Sequence, residues 1–201
     1  MRRFLFFVLL LVVSCREETK PIEVVEAEVV SEEMILSSGE TQIIEFHYMT
    51  INGVDASVME GDIRVGPYLK SRSDRGEDLP LSVYESAFPG AQFLEADFSS
   101  NCHALTFGRT LSDVLSSFWF NDPLAEMLIG QLFVETTQPQ VGDAYMIRGP
   151  QGLHSGVISS LEGQSILTDN KLGEGRYVMG ANLESIKAIY GDDVTFLKVA
   201  P

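Results

Sequence analysis

Cys102 and His154 are the two residues of this 201-residue chain whose types and surroundings could support covalent chemistry. Cys102 follows Ser99-Ser100-Asn101, side chains that cap helices, so it falls in the first turn of a helix expected to run through Phe107 and close at Gly108. The positive end of a helix macrodipole stabilises thiolate over thiol. The plain alternative is a core cysteine packed with Ala104, Leu105 and Phe107. His154 opens an expected strand, His154-Ser155-Gly156-Val157-Ile158, directly after the turn Gly149-Pro150-Gln151-Gly152. An imidazole placed there can reach into a cleft and take a thiol proton, and the resulting thiolate can attack an amide carbonyl. The alternative is a histidine that merely ends a turn. A third polar group should orient the imidazole. Asp169 and Asn170 end the next expected strand and lie on its opposite faces, so only one of them can face His154. His103 is expected to point elsewhere on the helix in a structural or rim role. His47 sits on the polar phase of an alternating segment and reads as exposed.

A second cysteine has a different context. Residues 1–14 carry Arg2 and Arg3, then the apolar run 4–13, too short to cross a bilayer core. Val12-Val13-Ser14-Cys15 resembles a bacterial lipobox, in which Cys15 becomes the lipidated first residue. The resemblance implies a membrane anchor, with Arg16 after the cysteine matching the outer-membrane default, facing the periplasm, if the cell is Gram-negative. Residues 16–40 hold eight glutamates, no aspartate and two bases. That stretch, with the lipidated Cys15, reads as an acidic tether over 15–40, the alternative being a first strand or helix at 24–30.

Around these residues the elements that would position them can be read in outline. Residues 43–50 alternate as a strand, 53–67 are turn-rich and 71–78 form a charged loop. Residues 79–96 read as irregular or helical lead-in broken at Pro89-Gly90. Asp122-Pro123 starts a helix with aspartate as cap and proline at the first helical position. Strands are expected at 144–148, 153–161, 164–169, 176–179 and 193–199, with a short helix at 182–189. A helix followed by an antiparallel meander is an α+β arrangement. Residues 41–201 make one domain, with 41–98 as an N-terminal extension of it.

The order of these motifs resembles a known family. Asn101-Cys102-His103-Ala104-Leu105-Thr106-Phe107-Gly108 resembles the cysteine-bearing helix start of papain-like bacterial hydrolases of the NlpC/P60 and CHAP type. Gln140-Val141-Gly142-Asp143-Ala144-Tyr145 is similar to their Pro-Gly-Asp strand opening, with Val141 where proline is usual. His154-Ser155-Gly156-Val157-Ile158 is similar to their histidine strand, about fifty residues after the cysteine. The resemblance covers residues 99–199. It implies a papain-like fold and cleavage of amide bonds in cell-wall peptides, with Cys102 as nucleophile, His154 as base and Asn170 as third residue. His103-Ala104-Leu105 departs from the small or aromatic residues many relatives carry there. The oxyanion donors are open: the Cys102 backbone N–H is one candidate, Tyr84 or Ser100 another.

Charge and cysteine count exclude other classes. The chain has 14 Lys+Arg against 29 Asp+Glu, a formal net charge of −15, which becomes −17 once Arg2 and Arg3 leave with the leader. Such a chain does not bind nucleic acid by bulk electrostatics. Two cysteines make neither a disulfide framework nor a four-cysteine zinc site. A metal site from Cys102, His103 and His154 is disfavoured, because adjacent residues rarely converge on one tetrahedral ion. Asp62, Asp192 and Asp193 lack the spacing of a calcium loop. The chemistry needs neither metal nor organic cofactor. Two functions remain: a lipid-anchored cysteine peptidase or amidase, or a non-catalytic envelope lipoprotein whose cleft binds a peptide or protein partner.

Overall fold

The computed structural model describes residues 22–35, 41–55, 65–66, 80–96, 100–172 and 175–201. The expected leader 1–14, Cys15, the loop at 71–78 and Asp62 lie outside the described residues. From the N-terminus the elements are β1 (Val24–Ile35), β2 (Thr41–Ile51), β3 (Val54–Asp55), β4 (Val65–Gly66), α1 (Leu81–Ala87), β5 (Gln92–Ala96) and α2 (Cys102–Thr110). A short 3-10 helix (Asp113–Ser117) leads to β6 (Trp119–Phe120), α3 (Asp122–Leu132) and β7 (Phe133–Glu135). Then follow β8 (Ala144–Gly149), β9 (Gly152–Glu162), β10 (Ser165–Lys171), β11 (Arg176–Asn182), α4 (Leu183–Tyr190) and β12 (Asp193–Val199). The chain is α+β, and every described strand pair is antiparallel.

Two sheets form. The larger runs β5-β11-β10-β9-β8-β12-β7, so β8 to β11 are a meander and β12 returns to pair with β8. Strand alternation gives this sheet two apolar faces. Ala144, Met146 and Leu197 pack with Ala104 and Phe107 of α2 and Leu124, Ala125 and Leu128 of α3. Tyr145 and Ile147, one residue out of phase, pack with Leu183 and Ile186 of α4 and with Tyr84 of α1. The smaller sheet runs β1-β2-β4-β6, with β3 also on β2, and delivers Met49, Ile51 and Phe120 to the first of these cores. Phe107 and Phe120 meet edge to face, ring centroids 5.0 Å apart, a geometry worth about 0.5–1.5 kcal/mol beyond burial.

Residues 24–35, expected within the acidic tether, instead form β1, which pairs with β2 from Val24↔Ile51 to Ile35↔Thr41. Ile22 and Val24 pack against the first core while Glu26 and Glu28 stay exposed, so the charge points to water and does not oppose strand formation. The lead-in at 79–96 resolves into helix α1, a turn at Pro89-Gly90 and strand β5. Gly108 does not close the expected helix. It lies inside α2, buried, where a Cβ would come within 2.7 Å of Ser116 Cβ, so it permits the 3-10 helix to pack close.

Candidate functional site

Helix α2 begins as its caps dictate. Asn101 is the N-cap; its Oδ1 accepts from Ala104 N at 3.2 Å and its Nδ2 donates to Phe120 O at 2.6 Å. The same side chain therefore caps the helix and ties it to β6, fixing Cys102 as the first helical residue. Cys102 is 6% exposed, and it is the one free cysteine among the described residues.

β9 presents His154 to this helix start. Its ring lies flat on Tyr190 at the end of α4, centroids 3.8 Å apart and planes 7° from parallel. Its Nε2 donates to Asn170 Oδ1 at 3.2 Å. Asn170 is held in turn: its Nδ2 donates to Thr168 O at 3.2 Å and Thr168 Oγ1 at 2.9 Å, and Tyr145 OH donates to the same Oδ1. The amide orientation follows, because the nitrogen faces a carbonyl and the oxygen faces two donors. His154 thus carries its proton on Nε2, which leaves Nδ1 as the basic nitrogen available to the thiol.

Gly156 allows this convergence. It lies opposite Tyr145 in the β8–β9 register and on the same face of β9 as His154. A Cβ there would sit 2.7 Å from Asn170 Oδ1 and 2.8 Å from Tyr145 OH. Asp169 takes the other face, as alternation requires. Its Oδ1 accepts from Gly180 N at 3.0 Å and its Oδ2 lies 3.8 Å from Arg109 Nη1. Asn170, not Asp169, is therefore the residue that meets His154.

His103 is buried, 0% exposed, and not at a rim. Its Nδ1 lies 2.9 Å from Ser155 Oγ and its Nε2 lies 3.3 Å from Asp122 Oδ1. Ser155 and His154, neighbours on opposite sides of β9, both reach back to the start of α2, one through His103 and the other to Cys102. Asp122 is free for this contact because Asn121 caps α3 in its place, Oδ1 accepting from Leu124 N at 3.2 Å. The expected aspartate cap is thus displaced by one residue. Asp122 Oδ2 also accepts from Leu153 N at 3.0 Å, which joins α3 to the start of β9.

These contacts set the charges. Burial alone raises the Cys102 thiol, but the charge and hydrogen bond of His103, and then those of His154, outweigh it and bring it well below its ordinary value. Burial likewise disfavours a charged His103, yet the Cys102 charge and the hydrogen bond to Asp122 raise it to about 9. The hydrogen bond from His103 leads the effects that lower the Asp122 carboxyl. Burial, followed by the nearby thiol charge among other effects, raises the Tyr145 and Tyr190 phenols, so both stay neutral.

The suggested oxyanion side chains are engaged elsewhere. Ser100 Oγ lies 3.3 Å from Tyr177 OH, and the Tyr84 ring packs on Phe93 at 6.1 Å. His47 pairs through its backbone with Val29 and Val65; its side chain lies outside the described residues. A cavity of about 260 Å³ lies against the later turns of α2, lined by Leu94, Leu105, Arg109, Asp113, Tyr177 and Met179; Cys102, His154 and Asn170 do not line it. Among the described residues no three His, Cys, Asp or Glu side chains are arranged to hold a metal ion.

The site is thus a Cys–His–Asn constellation built on a helix start and two antiparallel strands, a class of arrangement suited to nucleophilic acyl transfer. No family model, curated protein or solved structure matches the chain.

Proposed function

We propose that the chain is a papain-like cysteine hydrolase related to the NlpC/P60 and CHAP hydrolases, held at the cell envelope by a lipidated Cys15 and cleaving amide bonds in cell-wall peptides. The observation that carries the proposal is the meeting of a low-pKa thiol at a helix start with an imidazole whose tautomer Asn170 and Tyr145 fix. Cys102 Sγ attacks the amide carbonyl, and the tetrahedral adduct collapses as the C–N bond breaks. His154 Nδ1, having taken up a proton from the thiol or from solvent, delivers it to the departing nitrogen. Water, deprotonated by His154, then hydrolyses the thioester and releases the acid. The Cys102 backbone N–H, unpaired within the helix by its position, is the first donor for the oxyanion.

The burial of the pair, 6% exposure for Cys102 and 1% for His154, favours the second reading, in which the same cleft binds a peptide without cleaving it. Incubation with soluble cell-wall peptides separates the two. The hydrolase yields new amino and carboxyl termini by mass spectrometry, and Cys102→Ala and His154→Ala abolish them. Peptides that bind but stay intact would leave the binding lipoprotein standing.

A further inference from the structure

The hydrogen bonds around His103 can be filled with protons in one way. Thr106 Oγ1 donates to the Cys102 carbonyl at 3.0 Å, and a carbonyl cannot donate, so the threonine proton is committed there. Ser155 Oγ lies 2.9 Å from Thr106 Oγ1 and must be the donor of that bond. With its own proton spent, Ser155 accepts from His103, so His103 Nδ1 bears a hydrogen. On the other side of the ring, Nε2 faces a carboxylate, which only accepts, so Nε2 bears a hydrogen as well. A ring with hydrogen on both nitrogens is an imidazolium.

We infer that His103 is a standing cation, held by Asp122 and Ser155, whose charge is the main influence that keeps Cys102 as thiolate, ahead of His154. It is a positioning residue: it touches no substrate and acts through the thiol. This inference rests on the proposal that Cys102 is the nucleophile and assigns the two histidines separate tasks. His103 sets the charge of the thiol, and His154, charged on Nδ1 from solvent before attack and recharged by the water it deprotonates in deacylation, moves protons to and from the reacting groups. In the usual pair one imidazole must do both, because the proton it takes from the thiol is the one it later gives away.

The surroundings are consistent with this division. Among the described residues the titratable groups that face the pair are Asp122 from α3, His154 from β9, Tyr145 from β8 and Tyr190 from α4. Both phenols stay neutral, so Asp122 is the one anion beside the thiolate. It stands on the far side of the His103 ring and does not compete for the thiol. The raised His103 value and the depressed Asp122 value agree with the proton count.

The test uses the full chain with Cys15→Ala, so that Cys102 is the one thiol, and follows iodoacetamide alkylation against pH. The parent reacts far below the ordinary thiol midpoint of about 8.5. His103→Gln and Asp122→Asn move the midpoint up by about one unit or more, a loss of at least about tenfold in rate on the acidic limb. His154→Ala moves it less than either. Asp122 is half exposed, so its variant keeps the fold where His103→Gln fails to. Nitrogen-15 spectra of the parent ring give the second readout: both His103 nitrogens remain protonated up to about pH 9. A His103 that titrates near its ordinary 6.5 overturns the inference. So does a midpoint that moves to the ordinary range in His154→Ala and stays low in His103→Gln and Asp122→Asn. Peptides left uncut while the His103 signature persists would count against the hydrolase and not against the standing cation.

Discussion

At the scale of single residues, the site depends on an absent methyl group and a displaced proton. Alanine at Gly156 would press on Asn170 and Tyr145 at 2.7 Å. Gly156→Ala is expected to cost about 1–3 kcal/mol, the usual range for overpacking. The melting temperature should fall by roughly 2–4 °C per kcal/mol, and amide cleavage should fall with it because Asn170 no longer holds His154. An unchanged melting curve would mean that the cluster tolerates the methyl. The proton exchange between Cys102 and His103 makes a sharper prediction. The thiol is depressed in the fold, so its contribution is complete above the unfolded value of 9.0 and is lost as pH falls through the folded value. The imidazole is raised, so its contribution is complete below 6.5 and is lost as pH rises through about 9. Between those two values the slopes oppose and cancel. The melting-temperature gap between the parent and the double variant Cys102→Ala, His103→Gln should therefore stay level through that window and above about 9, and narrow at acidic pH, where the thiol's contribution is lost with nothing left to offset it. A gap that climbs steadily across that window would show a perturbed thiol beside a neutral His103. Cys102 and His154 were legible in the sequence because caps and turns place them locally, whereas alternation narrowed the third residue only to Asp169 or Asn170. His103 was not legible, because its meaning comes from Ser155 and Asp122, 52 and 19 residues away.

At the scale of elements, legibility follows how much of the signal is local. β12 occupies the expected 193–199, and β8 to β11 depart from expectation by a few residues at their ends. Their turns carry Gly-Pro or Gly and their apolar positions alternate, so each strand is specified by its own residues. β1 was legible only as the alternative, a first strand or helix at 24–30, because eight glutamates in 16–40 suggest solvation while pairing with β2 is a long-range event. The cap of α3 was ambiguous for a different reason: Asn121 and Asp122 are both good caps, and only tertiary demand for the carboxylate at His103 separates them. Asn101 is the element-scale hinge of the site. Asn101→Ala removes the cap of α2, about 1 kcal/mol, and leaves Phe120 O buried without its 2.6 Å donor, about 1–3 kcal/mol more. The expected loss is about 2–4 kcal/mol in denaturant unfolding, accompanied by a higher Cys102 alkylation midpoint as the helix start frays. Asn101→Asp restores the cap but not the donor, so it should recover only part of the stability. Full recovery would place the whole effect in the cap.

At the scale of the whole molecule, charge opposes the compact state. The chain carries −15 near neutrality and has a sequence pI of about 4.5. Repulsion of this kind is spread over the surface and is screened by salt, whereas the buried contacts of Cys102, His103 and His154 are screened little. The two contributions therefore separate by ionic strength. Raising sodium chloride from about 0.01 M to about 1 M shortens the screening length from about 30 Å to about 3 Å. At about pH 8, where the chain is well above its pI and strongly negative, this should raise the melting temperature. Near the pI the same addition should change it little, because there is no net repulsion left to screen. The alkylation midpoint of Cys102 should stay almost fixed across the same range, since the charges that set it lie against the thiol. A midpoint that drifts upward with salt would mean that the depressed thiol draws on the general field of the protein, and the short-range account built on His103 and His154 would fail. A melting temperature insensitive to salt at about pH 8 would instead mean that the acidic residues are too dispersed to strain the fold. In that case the negative charge would still weigh on the proposed hydrolase, disfavouring anionic polymers as substrates at long range.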